Sequence, residues 1–266
     1  MVDGAALEKR LGRKAHVGSN PTLSELRGRP RLLRADFFAS FLIAILLAGS
    51  VSAAEEEVTF SSSGRTLKAY LCRPSGSGPF PVVVYHHGGR GGAIGGAPAQ
   101  TCKALAEAGF IGFSPVLPTD TTIEENLQDA RAALDYAKGL PETDPSRLAV
   151  LGFSRGGLLA FLAATERRDL KAVVLMAPAP GKGHLQRALS RVESVSAPVL
   201  LQVAENDDAQ VDHVQIAQTV HGALESQGES SRLILYPSYG NDGHRMFFEV
   251  GSYWSDIVDF LKENLS

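Results

Sequence analysis

Several things are scarce in this sequence, and each scarcity narrows what the chain can be. Only two of its 266 residues are cysteines, Cys72 and Cys102, and neither stands at metal-ligand spacing. That removes both a zinc framework and a disulfide-dense scaffold. Two separate buried thiols, one on an early strand and one in a helix, are the expectation; sequence alone does not show whether they lie close enough to pair. A basic excess is missing too. The formal net charge is -3, and eight of the 26 basic but only four of the 29 acidic residues lie in residues 1–54. The rest carries 18 basic against 25 acidic residues, a balance that argues against a nucleic-acid partner. There is no internal repeat and no long linker. No apolar run is long enough to cross a bilayer: Phe37 to Gly49 gives 13 uncharged residues, short of the ~20 a spanning helix needs.

The N-terminal stretch reads as processing and not as fold. Residues 1–30 are polar, basic and without periodicity, and Gly18-Ser19-Asn20-Pro21-Thr22 looks like the translated T-arm of a transfer-RNA gene. An over-long reading frame is the expectation there. Met176 is the next methionine after Met1, so a later start would use a Val or Leu codon, such as that of Leu32 or Leu33. Residues 31–54 have the layout of a secretory signal peptide: Arg31 and Arg34, the apolar run, then small residues at Val51-Ser52-Ala53-Ala54. The expectation is export, to the periplasm or the medium, with no stable membrane span after cleavage; an uncleaved anchor is the alternative.

Residues 55–266 are expected to form one domain. Val58–Phe60 and Leu67–Cys72 flank Ser63-Gly64 and alternate in the manner of an antiparallel hairpin. Pro81-Val82-Val83-Val84-Tyr85 is a continuous apolar run, typical of a strand covered on both faces. Strands and helices then alternate. Helices are expected near 99–108, over Ile123 to Ala137 with Thr121 or Thr122 as cap, after Ser154, over Val211 to Leu224, and over Trp254 to Leu261. Strands are expected at 110–113, 148–153, 172–176, 198–204 and 233–236. Such alternation predicts a mostly parallel sheet with helices on both faces. About 20 residues separate the strand ending near Ala177 from the next, enough for a loop and one helix but not for a large lid.

The chemistry gathers at three strand ends. Leu148-Ala149-Val150-Leu151-Gly152-Phe153-Ser154-Arg155-Gly156-Gly157 reads as a buried strand, a tight turn with a serine at its apex, and a helix start. Gly152-x-Ser154-x-Gly156 is the pattern of a nucleophile elbow, in which residues two before and two after the serine must be small. Glu205-Asn206-Asp207-Asp208 follows the next-to-last strand, and Gly243-His244 follows the last. A serine hydroxyl needs a base to take its proton, and a carboxylate orients that base. His244 is the candidate base. His184 precedes the acid in sequence, His213 and His221 fall within a predicted helix, and His86 and His87 suit packing or loop ordering. Oxyanion donors are expected from the amide of Arg155 and from the loop His87-Gly88-Gly89-Arg90, with Gly89 favoured and Arg90 next. The Arg155 side chain is expected to pair with a surface acid, guidance of an anionic substrate being the other reading. Asp242 is expected to be a turn residue. Phe153, Met246, Phe247, Phe248, Tyr253 and Trp254 are candidates for an apolar cleft wall.

These residues together resemble the α/β-hydrolases, and most of all the dienelactone hydrolase-related branch, over residues 58–266. The matching stretches are His87-Gly88-Gly89, Gly152 to Gly157, Glu205-Asn206-Asp207 and Gly243-His244. The resemblance implies an α/β-hydrolase fold of about eight strands, acting on a small-molecule carboxylic ester or lactone with no metal and no cofactor. It places Asp207 in the acid role. Asp208 and Glu205 stay open beside it, and the aspartate of the pair left over is expected to cap the helix before Ala209. Dienelactone hydrolases carry cysteine at the elbow where this chain has Ser154, which favours a general serine esterase over the namesake reaction. A peptidase of the prolyl-oligopeptidase type, here without its propeller, is the alternative enzyme. A non-catalytic binding protein on the same fold is the alternative of another class. Oligomeric state leaves no mark in the sequence.

Overall fold

The computed structural model describes residues 54–94 and 97–266. The leader readings for 1–30 and 31–54, the latter apart from its last residue, lie outside the described residues. Two strands, β1 (Ala54–Ser62) and β2 (Arg65–Arg73), pair antiparallel with Ser62 opposite Arg65. That register leaves Ser63-Gly64 as a two-residue loop, with φ of 48° and 77°, the positive pair that a right-handed hairpin twist favours. The hairpin is pinned from beneath. The Ser62 hydroxyl and the Arg65 guanidinium both donate to the buried carboxylate of Asp129, at 2.6 and 2.9–3.0 Å.

The remaining elements alternate as expected: β3 (Phe80–His86), α1 (Ala99–Glu107), β4 (Ile111–Pro115), α2 (Ile123–Lys138), β5 (Thr143–Phe153), α3 (Arg155–Ala164), β6 (Leu170–Met176), α4 (His184–Leu189), β7 (Val199–Ala204), α5 (His213–Ser226), β8 (Ser231–Tyr236) and α6 (Trp254–Leu265). Thr122 caps α2 through a reciprocal box with Glu125, satisfying two amides that a helix start leaves orphaned. The eight strands form one sheet in the order β1-β2-β4-β3-β5-β6-β7-β8, parallel from β4 to β8.

Alternation along β3 divides the core. Val82 and Val84 join the cluster under α2, α3 and α5, while Val83 and Tyr85 join the one under α1 and α6. Residues 156–164 of α3 are buried throughout, so this helix is clamped between the sheet and its neighbours. From β3 the chain turns to β4 on one side, and from β5 it turns to β6 on the other. The crevice at the carboxyl ends of β3 and β5 is therefore the switch point at which open α/β sheets bind ligands.

One expectation is corrected here. Cys72 on β2 and Cys102 on α1 are not separate thiols but a disulfide, with Cα atoms 5.5 Å apart. The cause is topological: β4 lies between β2 and β3, and α1 packs across both β2 and β4, which brings Cys102 over the sheet near Cys72.

Candidate active site

Ser154 stands between β5 and α3 with φ 53° and ψ -115°, a backbone conformation that L-residues rarely hold and that sites of chemistry often do. The turn is locked by its amide, which donates to Met176 O at 2.8 Å, and by its carbonyl, which accepts from Leu158 and Ala179. A β-carbon on Gly152 would overlap the Gly156 carbonyl, and one on Gly156 would overlap the carbonyl of His86. Both glycines are thus required by close approach, as the pattern predicts.

The loop after β3 lies against this turn. A β-carbon at Gly88 would meet the Phe153 ring at 3.0 Å and the Ser154 Cβ at 3.5 Å, and one at Gly89 would meet Arg155 at 3.8 Å. None of the turn, loop or cap hydrogen bonds among the described residues uses the amide of Gly89 or Arg155. His87 orders the loop. Its Nε2 accepts from the Leu117 amide at 2.8 Å while Nδ1 donates to Gly88 O at 2.8 Å, and burial pushes its imidazole below the usual histidine range. His86 is fully buried with neither ring nitrogen partnered, and burial, with His87 beside it, pushes it down to about 3. Both meet the ordering and packing expectation.

Asp207 and His244 come together from two loops. The His244 Nδ1 lies 3.0 Å from each oxygen of the Asp207 carboxylate. Asp207 is 1% exposed. The loops are stitched by Asn206, whose Oδ1 accepts from the Tyr239 amide at 2.8 Å, whose Nδ2 donates to Tyr239 O and Gly240 O, and whose carbonyl accepts from Gly243. His244 sits in a one-turn 3-10 segment, Gly243–Phe247, capped by the Asp242 side chain, so Asp242 is the turn residue expected. Asp208 is exposed, and the cap of α5 is Asp212, not Asp208. The correction has a simple cause: the loop runs four residues further before its first helical turn.

Ser154 and His244 line one cleft of about 410 Å³, together with Gly89, Arg155, Phe153 and Phe248. Among the described residues no hydrogen bond yet joins the Ser154 hydroxyl to His244. Among the described residues no lid covers the cleft; between β6 and β7 stand α4 and a short 3-10 turn. A larger hollow of about 650 Å³, holding none of the predicted nucleophile, acid, base or oxyanion residues, adjoins it through Asp242, Arg245 and Phe248 and takes in Met246 and Tyr253. Phe247 is buried core, and Trp254 lines neither hollow.

The Arg155 side chain corrects a third expectation. Among the described residues it pairs with no acid; its guanidinium donates to the carbonyls of Thr119, Thr121 and Thr122 at 3.0, 2.5 and 3.4 Å. It therefore fastens the 119–122 segment to the elbow. Of the other histidines, His184 lies 3.4 Å from Glu124 and His221 bonds the Ser231 hydroxyl. His213, a helix residue by its sequence pattern, stacks on His244 with centroids 4.4 Å apart. Its place six residues past Asp207, at the helix start, was the available signal.

This geometry has parallels among known proteins. The dienelactone hydrolase family profile matches residues 117–263, a span that includes Ser154, Asp207 and His244. The quorum-quenching protein AidA of Acinetobacter baumannii is 29% identical over 48% of this chain, a match spanning only 45% of AidA. A Bradyrhizobium protein described as a probable 2-oxo-3-(5-oxofuran-2-ylidene)propanoate lactonase is 26% identical over 78% of this chain and 94% of its own length. The crystal structure of a dienelactone hydrolase from Anabaena variabilis superposes with a TM-score of 0.62 at 23% identity, covering 81% of this chain and all of the other. With the eight-stranded sheet and the elbow at its switch point, these matches establish that the chain belongs to the dienelactone hydrolase family and is an α/β-hydrolase of ester or lactone substrates.

Proposed function

We propose that the protein is an exported serine hydrolase that cleaves small carboxylic esters or lactones through an acyl-enzyme on Ser154. The observation that carries this reading is the His244–Asp207 pair, which opens onto the same cleft as a serine held at positive φ. Asp207 accepts a hydrogen bond from the Nδ1–H of His244, so Nε2 is left to accept the proton of the Ser154 hydroxyl as that oxygen attacks the substrate carbonyl. The imidazolium formed is stabilised by the buried carboxylate and returns its proton to the leaving alcohol. Water then repeats the sequence on the acyl-enzyme. The amides of Gly89 and Arg155 receive the oxyanion.

Arg90 and Arg245 border the cleft, and among the described residues neither makes an ion pair. They suit a substrate that carries a carboxylate, in keeping with the propanoate in the name of the Bradyrhizobium lactonase. Export is supported by the disulfide, which oxidising compartments maintain, and by the signal-like layout of residues 31–54. Two assays test the reading. Turnover of p-nitrophenyl acetate and of mono-p-nitrophenyl succinate is compared in the protein and in Arg245→Gln; the expected result is a raised KM for the succinate alone. Failure to turn over any ester or lactone, or an equal KM change for both, contradicts the corresponding part. Recovery of the mature protein from the cytoplasm contradicts export.

A further inference from the structure

His213 is a buried imidazole at the site that the chemistry above leaves without a task. It is the first residue of α5 and is 4% exposed. Its ring lies on that of His244 with an interplanar angle of 27°. Its Nδ1 is 3.1 Å from Pro178 O; a carbonyl only accepts, so Nδ1 carries a proton. Its Nε2 faces Asp207 Oδ1 at 4.0 Å, and its amide donates to the Asp207 carbonyl at 3.0 Å. The charged or titratable groups facing it are Asp207 from the β7–α5 loop and His244 from the turn after β8, while the β6–α4 segment presents the carbonyls of Ala177 and Pro178.

His244 needs a support of this kind. Its Nδ1 is equidistant from both Asp207 oxygens, so the hydrogen bond alone selects neither, and the ring's orientation rests on what packs against it, Phe153 at 4.7 Å and His213 at 4.4 Å between centroids. The turn that carries it is only five residues long. We propose that His213 is a positioning residue: its neutral ring, tethered to Pro178, is the face against which His244 is held on Asp207 and over which the His244 imidazolium forms. The proposal rests on the serine-hydrolase reading. Neutrality is the working state for two reasons. A neutral ring offers π-electrons to the cation stacked on it. It also has no Nε2 proton with which to compete for Asp207. Burial pushes the His213 imidazole toward that neutral form, against the pull of Asp207.

The test uses the full-length protein, p-nitrophenyl acetate kinetics across pH, and fluorophosphonate labelling. His213→Ala is expected to lower kcat by about 10–100-fold with little change in KM, and to move the acid limb of kcat/KM by about half a pH unit or more. His213→Phe keeps a flat face without a titrating group and is expected to recover kcat to within about fivefold. His213→Leu fills the volume without that face and is expected to behave as His213→Ala, which keeps the test open if the alanine cavity unfolds α5. The proposal is overturned if the folded Ala and Leu variants keep the parent kcat and pH profile, if Phe is as impaired as Leu, or if activity falls only in step with melting temperature while the pH profile stays fixed. Absence of labelling in the parent protein counts against the serine reading instead. Positioning is then read from the downfield Nδ1 proton of His244 in NMR spectra, expected in the parent and in His213→Phe but broadened or lost in His213→Leu; equal signals in all three overturn it.

Discussion

The nucleophile side of the cleft and its acid–base side are held by different means. Ser154 is set by a covalently local turn wedged between buried strands, with Gly156 packed on the His86 carbonyl and the next eight residues of its helix buried. Asp207 and His244 ride on two loops that meet through each other, through Asn206 and Gly243, and through the stacked His213, with the Phe153 ring 4.7 Å from that of His244. A β-carbon on Gly243 would fall 2.7 Å from the Asp207 amide, so the loops touch at close range. The elbow is thus a part of the core that carries the proposed nucleophile. The acid–base pair is assembled where two loops meet, with Asp207 buried and the His244 ring packed against Phe153. Stability and activity should therefore respond differently to changes on the two sides.

The largest effects are expected at the reacting atoms. Ser154→Ala and His244→Ala should each lower turnover by about 10⁵–10⁶, and the double variant little further; an additive double variant would mean that the two do not act as a unit. Asp207→Ala should lose about 10⁴, whereas Asp208→Ala, at an exposed position, should stay near the parent rate. Reversal of those two results in ester kinetics would move the acid. Asn206→Ala breaks three side-chain hydrogen bonds between the loops. It should lower kcat by about tenfold and cost about 1–2 kcal/mol in denaturant melts, which separates a stitched assembly from a rigid one. The smallest effect is on stability alone. His86→Leu removes two unpartnered buried nitrogens beside the elbow and should raise stability by about 1–3 kcal/mol.

The same substitution has a pH signature. His86 is held near 3 when folded against an ordinary 6.5, so between those values the unfolded chain binds the extra proton. The stability held by neutral His86 is complete above about pH 6.5 and is lost by about 1.4 kcal/mol per pH unit as pH falls toward 3. Melts of His86→Leu should therefore show a shallower acid limb than the parent; parallel limbs would mean that His86 is not the group involved.

What the sequence disclosed follows the same division. The elbow, the order of serine, acid and histidine at successive strand ends, the Ser63-Gly64 hairpin and the Thr122 cap are all local patterns, legible because backbone sterics and hydrogen bonding act over a few residues. The parts that escaped are long-range. The Cys72–Cys102 bond depends on β4 inserting beside β2. The task of the Arg155 side chain depends on carbonyls more than 30 residues earlier. The stack of His213 on His244 depends on two loops closing over Asp207. The family resemblance supplied the acid, and the hydrogen bond from His244 to Asp207 rather than Asp208 agrees with it.

Covalent labelling by a fluorophosphonate probe, applied to the parent protein and to Ser154→Ala, tests the central claim most directly, because such probes react with an activated serine and pass over an ordinary one. The account predicts one adduct per chain, on the peptide containing Ser154, and none in Ser154→Ala. A folded parent protein that takes no label, or a Ser154→Ala form that labels equally, would contradict it.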